Sequence, residues 1–185
     1  MLRGKPYNLG KFLVFMKVIL CEKIARIVKA RAKLQRILNV KISNRGKEVS
    51  ITGSAEDEYI ADKVIDAINF GFSVNHALEI SEQDFLYEVI NIKDYTTRHD
   101  MERIRGRIIG MGGKTLKTLS DLTDCFIETN GNEVGLIGPS ETIQTAREGV
   151  ISIIKGSKQA NVYAHLERMK PVPLVDLGLK EAGKK

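Results

Sequence analysis

The second half of this chain repeats the first. A shift of 85 residues without a gap (48 to 133) sets Glu48 on Glu133, Val49 on Val134, Gly53 on Gly138, Glu56 on Glu141, Ala61 on Ala146 and Gly71 on Gly156. Ile24 meets Ile109, Leu34 meets Leu119, Ile42 meets Ile127, and Ile51 meets Leu136. A duplicated chain of 185 residues is expected to fold as two similar units, each the size of a small domain.

Local patterns say what each unit contains. Lys41 to Asn44 and Glu48 to Thr52 flank Arg45-Gly46-Lys47, with apolar residues at alternate positions. Phe126 to Thr129 and Glu133 to Ile137 flank Asn130-Gly131-Asn132 in the same way. Both read as hairpins. Ser54-Ala55-Glu56-Asp57 and Pro139-Ser140-Glu141 are helix starts with acids in the first turn. The helices that follow are expected to bury Ile60, Val64, Ile65 and Ile68 in one copy and Ile143, Ala146, Val150, Ile153 and Ile154 in the other, and to end near Gly71 and Gly156. Leading strands fit Phe12 to Leu20 and Leu86 to Ile92, which are rich in β-branched and aromatic residues.

The order per half is strand, helix, helix, strand, strand, helix: an α+β unit with its helices on one face of a three-stranded sheet. Residues 72–84 read as a short helical connector. The chain divides into an N-terminal segment 1–11, a first unit 12–85, a second unit 86–170 and a flexible tail 171–185 carrying Pro171 and Pro173.

Composition narrows the class of function. Hydrophobic content of 43% with 28% charged residues is that of a soluble globular protein. Apolar runs such as Phe12 to Met16 are far short of the roughly 18 residues of a membrane span, and the N-terminus lacks the apolar core of a signal peptide. Two cysteines, Cys21 and Cys125, make no disulfide framework, so a reducing, cytoplasmic setting is expected. His76, His99 and His165 have no partner at metal-ligand or catalytic spacing, and no paired carboxylates or nucleophile–base arrangement stands out. No enzyme activity, cofactor or metal is expected.

Net charge is +6, and its placement is informative. Lys17 to Arg36 holds seven basic residues against Glu22; Arg98 to Lys117 holds six against Asp100 and Glu102. Together these windows exceed the charge of the whole chain, which points to a polyanionic partner.

Inside the second window, Arg107 to Leu119 reads RIIGMGGKTLKTL. Gly110, Gly112 and Gly113 let the backbone turn sharply and approach a ligand without Cβ obstruction. The amides opening the next helix lack intrahelical partners and carry the positive end of its dipole, which suits phosphate. A nucleotide-binding P-loop is disfavoured: its first glycine would fall on Ile108, and the preceding Met101 to Arg105 is polar and not a buried strand. A helix–helix turn that binds nothing is the bland alternative. The first half departs from the pattern. There the four loop positions become Ala25-Arg26-Ile27-Val28, so Lys23 to Ile37 is expected as one nearly continuous helix presenting Lys29, Lys33 and Arg36 as a secondary basic surface.

The element order, with the glycine loop between the first two helices, resembles the type I KH fold of RNA-binding proteins, and I-I-G-M-G-G-K-T-L-K-T-L resembles its signature. The run Gly106 to Lys117, the block Lys155 to Arg168 (KGSKQANVYAHLER) and the connector Gly71-Phe72 are similar to the Dim/Pno family of small-subunit ribosome-assembly proteins, in its compact archaeal form. The resemblance covers residues 13 to 170 and implies two tandem KH-like domains, the first with a degenerate loop.

It further implies an RNA groove in which Gly110, Met111, Gly112, Gly113 and Lys114 clamp the backbone of about four nucleotides. Lys117 adds charge, Arg103 and Arg107 flank the groove, and Ile108, Ile109 and Ile127 form its floor. The implied target is single-stranded small-subunit ribosomal RNA or its precursor near the 3′ end. Implied partners are a Nob-type endonuclease, the pre-small-subunit particle and the alpha subunit of initiation factor two. A KH adaptor for messenger RNA or RNA decay, and a protein-interaction scaffold, are the alternatives.

Overall fold

The computed structural model describes residues 17–170; the segment 1–11, the expected strand start at 12–16 and the tail 171–185 lie outside the described residues. The first half runs β1 (Lys17–Leu20), α1 (Ile24–Ile37), β2 (Lys41–Arg45), β3 (Glu48–Thr52), α2 (Ala55–Phe70) and α3 (Val74–Glu82). The second runs β4 (Leu86–Asn91), a 3-10 turn (Ile92–Tyr95), α4 (Met101–Ile109), α5 (Lys114–Thr123), β5 (Phe126–Asn130), β6 (Glu133–Gly138), α6 (Ser140–Lys155) and α7 (Gln159–Met169). Between α4 and α5 sits the glycine turn. Each half holds a three-stranded antiparallel sheet, in the orders β1-β3-β2 and β4-β6-β5.

The repeat is physical in its details. Lys41 stands opposite Thr52 as Phe126 stands opposite Ile137. Asn39 and Asp124 both sit at φ 52° after a helix, where short polar side chains tolerate the left-handed region. A Cβ on Gly53 would come within 2.9 Å of Val40 Cγ1, and a Cβ on Gly138 would fall on Cys125 Sγ. Each glycine therefore closes the end of its third strand against the residue that opens the second. Ser54 starts α2 as expected, accepting from the Asp57 amide at 3.1 Å; Ser73 and Asp100 cap α3 and α4 in the same way, accepting from His76 at 3.1 Å and Arg103 at 3.0 Å.

One expectation is corrected. Leu20 stands opposite Glu48, and Asn91 opposite Glu133. The leading strands are thus offset by 71 residues (20 to 91) and the rest by 85 (48 to 133), so the gap-free register fails before Ile24. The 14 additional residues of the second half lie between Asn91 and Ile109, in the 3-10 turn, the segment 96–100 and α4. In the first half α1 is the one nearly continuous helix expected for Lys23 to Ile37, because β-branched and charged residues at 25–28 continue a helix that glycines would break. The expected connector is α3, and the 85-residue shift places its first residue, Val74, on Gln159, the first of α7. Each half therefore ends in an additional helix, α3 packing on α1 and α2, α7 on α5 and α6.

Leu34, Val49, Ile51, Val64, Ile65 and Ile68 build the first core, and Ile104, Leu119, Val134, Leu136, Val150 and Ile154 the second. The halves meet on the outer face of the second sheet. Phe70 at the end of α2, Phe72 in the α2–α3 connection and His76 in α3 cover Tyr87, Phe126 and Ile137 there, and Ile137 belongs to the first core. The His76 ring stacks on Phe126 at 4.0 Å, and Phe72 meets Tyr87 edge-on at 6.1 Å.

Candidate nucleic-acid interface

The glycine turn is set by backbone chemistry. Gly110 (φ 73°), Gly112 (φ 61°) and Gly113 (φ 78°) all take conformations that L side chains avoid. A Cβ at Gly110 would collide with the Thr115 side chain, whereas nothing lies within 4 Å of one at Gly112 or Gly113. Gly110 is thus there for the turn's own closure, and Gly112 and Gly113 keep the backbone open to an incoming group. No side chain caps α5, whose N-cap is Gly113. The Gly113 amide donates to Gly110 O at 3.2 Å and the Lys114 amide to Met111 O. Those two donors, expected for phosphate, are engaged inside the turn; what the turn offers is the exposed Gly112 backbone and the positive end of α5.

Around the turn, Met111 is 83% exposed, and Lys114 and Lys117 point into solvent. Ile109 is half-buried beside Gly110 and supplies an apolar wall. Ile108 and Ile127 do not: Ile108 is fully buried and Ile127 is 8% exposed, both within the second core, so the expected groove floor is corrected to Ile109. Arg103 is exposed, and Arg107 is half-buried with its Nη2 donating to Ser157 O at 2.6 Å. This pair lies on the side of α4 that faces the α6–α7 junction. Arg105 points the other way, to Asn132 Oδ1 at 3.0 Å in the β5–β6 turn. It is the arginine that the spacing argument missed, although the i, i+2 alternation of Arg103, Arg105 and Arg107 already put it on a different helix face.

Gln159 was also missed. From the first turn of α7 its Nε2 donates to Arg107 O and to Thr115 Oγ1, each at 2.9 Å, joining the last turn of α4 to the first of α5. Only α7's position after a glycine-ended helix hints at this in the sequence.

In the first half, the basic face of α1 is partly structural. Lys23 Nζ donates to Phe70 O at 2.5 Å and Arg26 Nη1 to Gly71 O at 2.9 Å, placing two cations on the carbonyl end of α2. Lys33 Nζ bonds Asn75 Oδ1 at 2.8 Å, leaving Lys29 and Arg36 exposed to solvent. Both cysteines are buried free thiols. Burial, helped by the Asp66 charge, pushes Cys21 up to about 11; burial also raises Cys125. Neither is poised as a nucleophile. Among the described residues, no three His, Cys, Asp or Glu side chains group to hold a metal, and no helix is long and apolar enough to cross a membrane.

Comparison with known proteins supports this geometry. Residues 86–171 match the eukaryotic type KH-domain (KH-domain type I), second-domain Pno form. A KH domain-containing protein of Methanocaldococcus jannaschii is 34% identical over 109 residues, covering 58% of this chain and 48% of its own. The pre-rRNA-processing protein PNO1 of Phaeosphaeria nodorum is 29% identical over 141 residues, covering 72% and 53%. The chain thus spans about half the length of these relatives. Dim2p of Pyrococcus horikoshii superposes with a TM-score of 0.75 at 26% identity, over 83% of this chain and 98% of that one. The crystal structure of the a/eIF2alpha–aDim2p–rRNA complex from the same organism gives 0.78 at 26%, over 86% and 96%. The second half of the chain thus matches a type I KH domain of the Pno form, and most of its length is similar in fold to Dim2p.

Proposed function

We propose that this chain is a non-enzymatic RNA-binding protein of small-subunit ribosome biogenesis, acting in the cell interior. It comprises two tandem KH-like units, 12–85 and 86–170, of which the second holds single-stranded ribosomal or precursor RNA near its 3′ end. The observation that carries this reading is the open glycine turn, with a side-chain-free Gly112 at its tip and the exposed Lys114 and Lys117 on the helix it starts. The names of relatives support the target: PNO1 is a pre-rRNA-processing protein, and the Pyrococcus relative was crystallised with rRNA and a/eIF2alpha. An initiation-factor-two alpha subunit is accordingly a partner in this reading, as is a Nob-type endonuclease whose access to the RNA end the protein governs.

The test is the double substitution Met111→Asp and Gly112→Asp. Met111 is exposed and a Cβ at 112 meets no atom, so the fold is expected to survive with the turn carrying two negative charges. Single-stranded RNA binding should then be lost, and the protein should leave pre-small-subunit particles in gradient sedimentation. Unchanged RNA affinity in the folded variant refutes the assignment.

A further inference from the structure

Two sizeable cavities lie away from the glycine turn. They lie on the opposite side of α4, where the strand-to-helix segment 93–98 and the α6–α7 junction face each other. One, of about 490 Å³, is lined by Lys93 to Arg98 together with Lys155. Its neighbour, of about 520 Å³, is lined by Arg98, His99, Asp100, Arg103, Ile104 and Arg107. Arg98 lines both, so the two are neighbours and are taken together as one cationic cleft. Each is within the ~300–1,000 Å³ of sites that hold small organic groups.

The cleft is strongly cationic. Five cations, Lys93, Arg98, Arg103, Arg107 and Lys155, face two carboxylates, Asp94 and Asp100. The Asp100 carboxylate already accepts the Arg103 amide at the start of α4. Among the described residues, none of Lys93, Arg98, Arg103 and Lys155 makes an ion pair. The Arg98 guanidinium lies against Gly156, its Nη2 3.2 Å from where a Cβ would stand, so a side chain at 156 would push it out of the cleft. Arg107, three residues before Gly110, connects the cleft to the end of the turn through its bond to Ser157 O. Like cations gathered without carboxylate partners repel one another, and an anion relieves that cost.

We propose that this cleft is a second phosphodiester site, which takes the RNA backbone after it leaves the glycine turn and bends it around α4. The proposal rests on the RNA-binding reading above. Arg103 and Arg107 then act here, on the far side of α4 from Arg105 and Ile109. The strand would be held at two places along its length, the turn gripping a short stretch and the cleft a further one by charge alone. Such a site carries no base specificity and adds affinity that falls with salt.

The experiment compares random-sequence RNA pools of 4 and 12 nucleotides on the full chain and on the double variant Arg98→Ala and Lys155→Ala. Both residues are exposed, so folding is expected to persist, which a thermal melt checks. The 4-mer should bind both proteins equally, since it fills only the turn. The 12-mer should bind the variant severalfold more weakly, with a salt slope lower by about 1.4, from two phosphate contacts at roughly 0.7 each on single strands. Equal 12-mer affinity and slope in variant and parent overturn the second site while leaving the turn intact. Absence of 4-mer and 12-mer binding by the parent overturns the RNA reading itself. Inorganic phosphate bound by the parent and lost in the variant, with the 12-mer slope unchanged, would show a site for a free anion and also refute the backbone track.

Discussion

Gln159 holds Thr115 in place: its side-chain amide donates to the Thr115 hydroxyl and to the Arg107 carbonyl, each at 2.9 Å. One side chain from the last described helix therefore sets the angle at which α4 enters the glycine turn and α5 leaves it. Gln159→Leu removes both bonds at similar volume, at a net cost of about 1 kcal/mol each. RNA affinity is expected to fall by roughly fivefold to thirtyfold while the protein stays folded, as read by fluorescence anisotropy and circular dichroism. An unaltered dissociation constant would mean that the turn keeps its shape without α7.

The three glycines of the turn should not respond alike. Gly110→Ala sets a Cβ into the Thr115 side chain and imposes positive φ on an alanine, so the turn must open. Gly112→Ala meets only the second penalty, about 1 kcal/mol. Thermal melts should rank Gly110→Ala clearly below Gly112→Ala, and RNA binding should fall in the same order. Equal melting temperatures would show that the Gly110–Thr115 contact is not what closes the turn.

The two halves should unfold together. Gly135 lies under the Phe70 and Phe72 rings, and a Cβ there would stand 2.7 Å from Phe72 Cε2. Gly135→Val overpacks this seam at a cost of about 1–3 kcal/mol. At about 2–4 °C per kcal/mol for a chain of this size, the melting temperature should drop by roughly 2–12 °C in a single transition. Two separate transitions in the parent protein, with the variant changing neither, would mean that the halves are energetically independent.

Stability should decline in alkali, and the thiols say where. Cys21 ionises near 9 when free of its surroundings but is held up to about 11 in the fold; burial also raises Cys125 and Tyr87. Above pH 9 the unfolded chain releases protons that the native chain retains, so it binds fewer protons and stability falls as pH rises. The contribution of Cys21 is complete below pH 9 and is lost as pH climbs towards 11. Urea midpoints at pH 8 and pH 10.5 measure the loss, and Cys21→Ala should flatten it. Identical midpoints in the parent would contradict a buried, protonated Cys21.

Much of this was legible because turns and caps are local. The hairpins around Gly46 and Gly131, and the helix starts at Ser54 and Pro139, lie within one residue or two of their expected bounds. Ala25 to Val28 predicted one helix without a turn, and α1 is that helix. What failed was non-local. Gly53 and Gly138 align as identities, yet the reason they are glycine is the approach of Val40 and Cys125, which no pattern announces. Ile108 and Ile109 are equivalent in a list of branched residues, but a helical step of about 100° sends one into the core and leaves the other at the wall. Lys23 and Arg26 read as partner-seeking charge and instead satisfy the carbonyl end of α2.

The way the copies join is not symmetric. Phe126, Gly135 and Ile137 make the second sheet's outer face a seat for the first half's aromatic cluster. At the same places on the first sheet stand Lys41, Ser50 and Thr52, which offer no such seat. Those three positions therefore do not repeat the seat of the second sheet, and the join between the two copies is one-sided: the first half lends the aromatic rings and the second lends the flat strand that receives them.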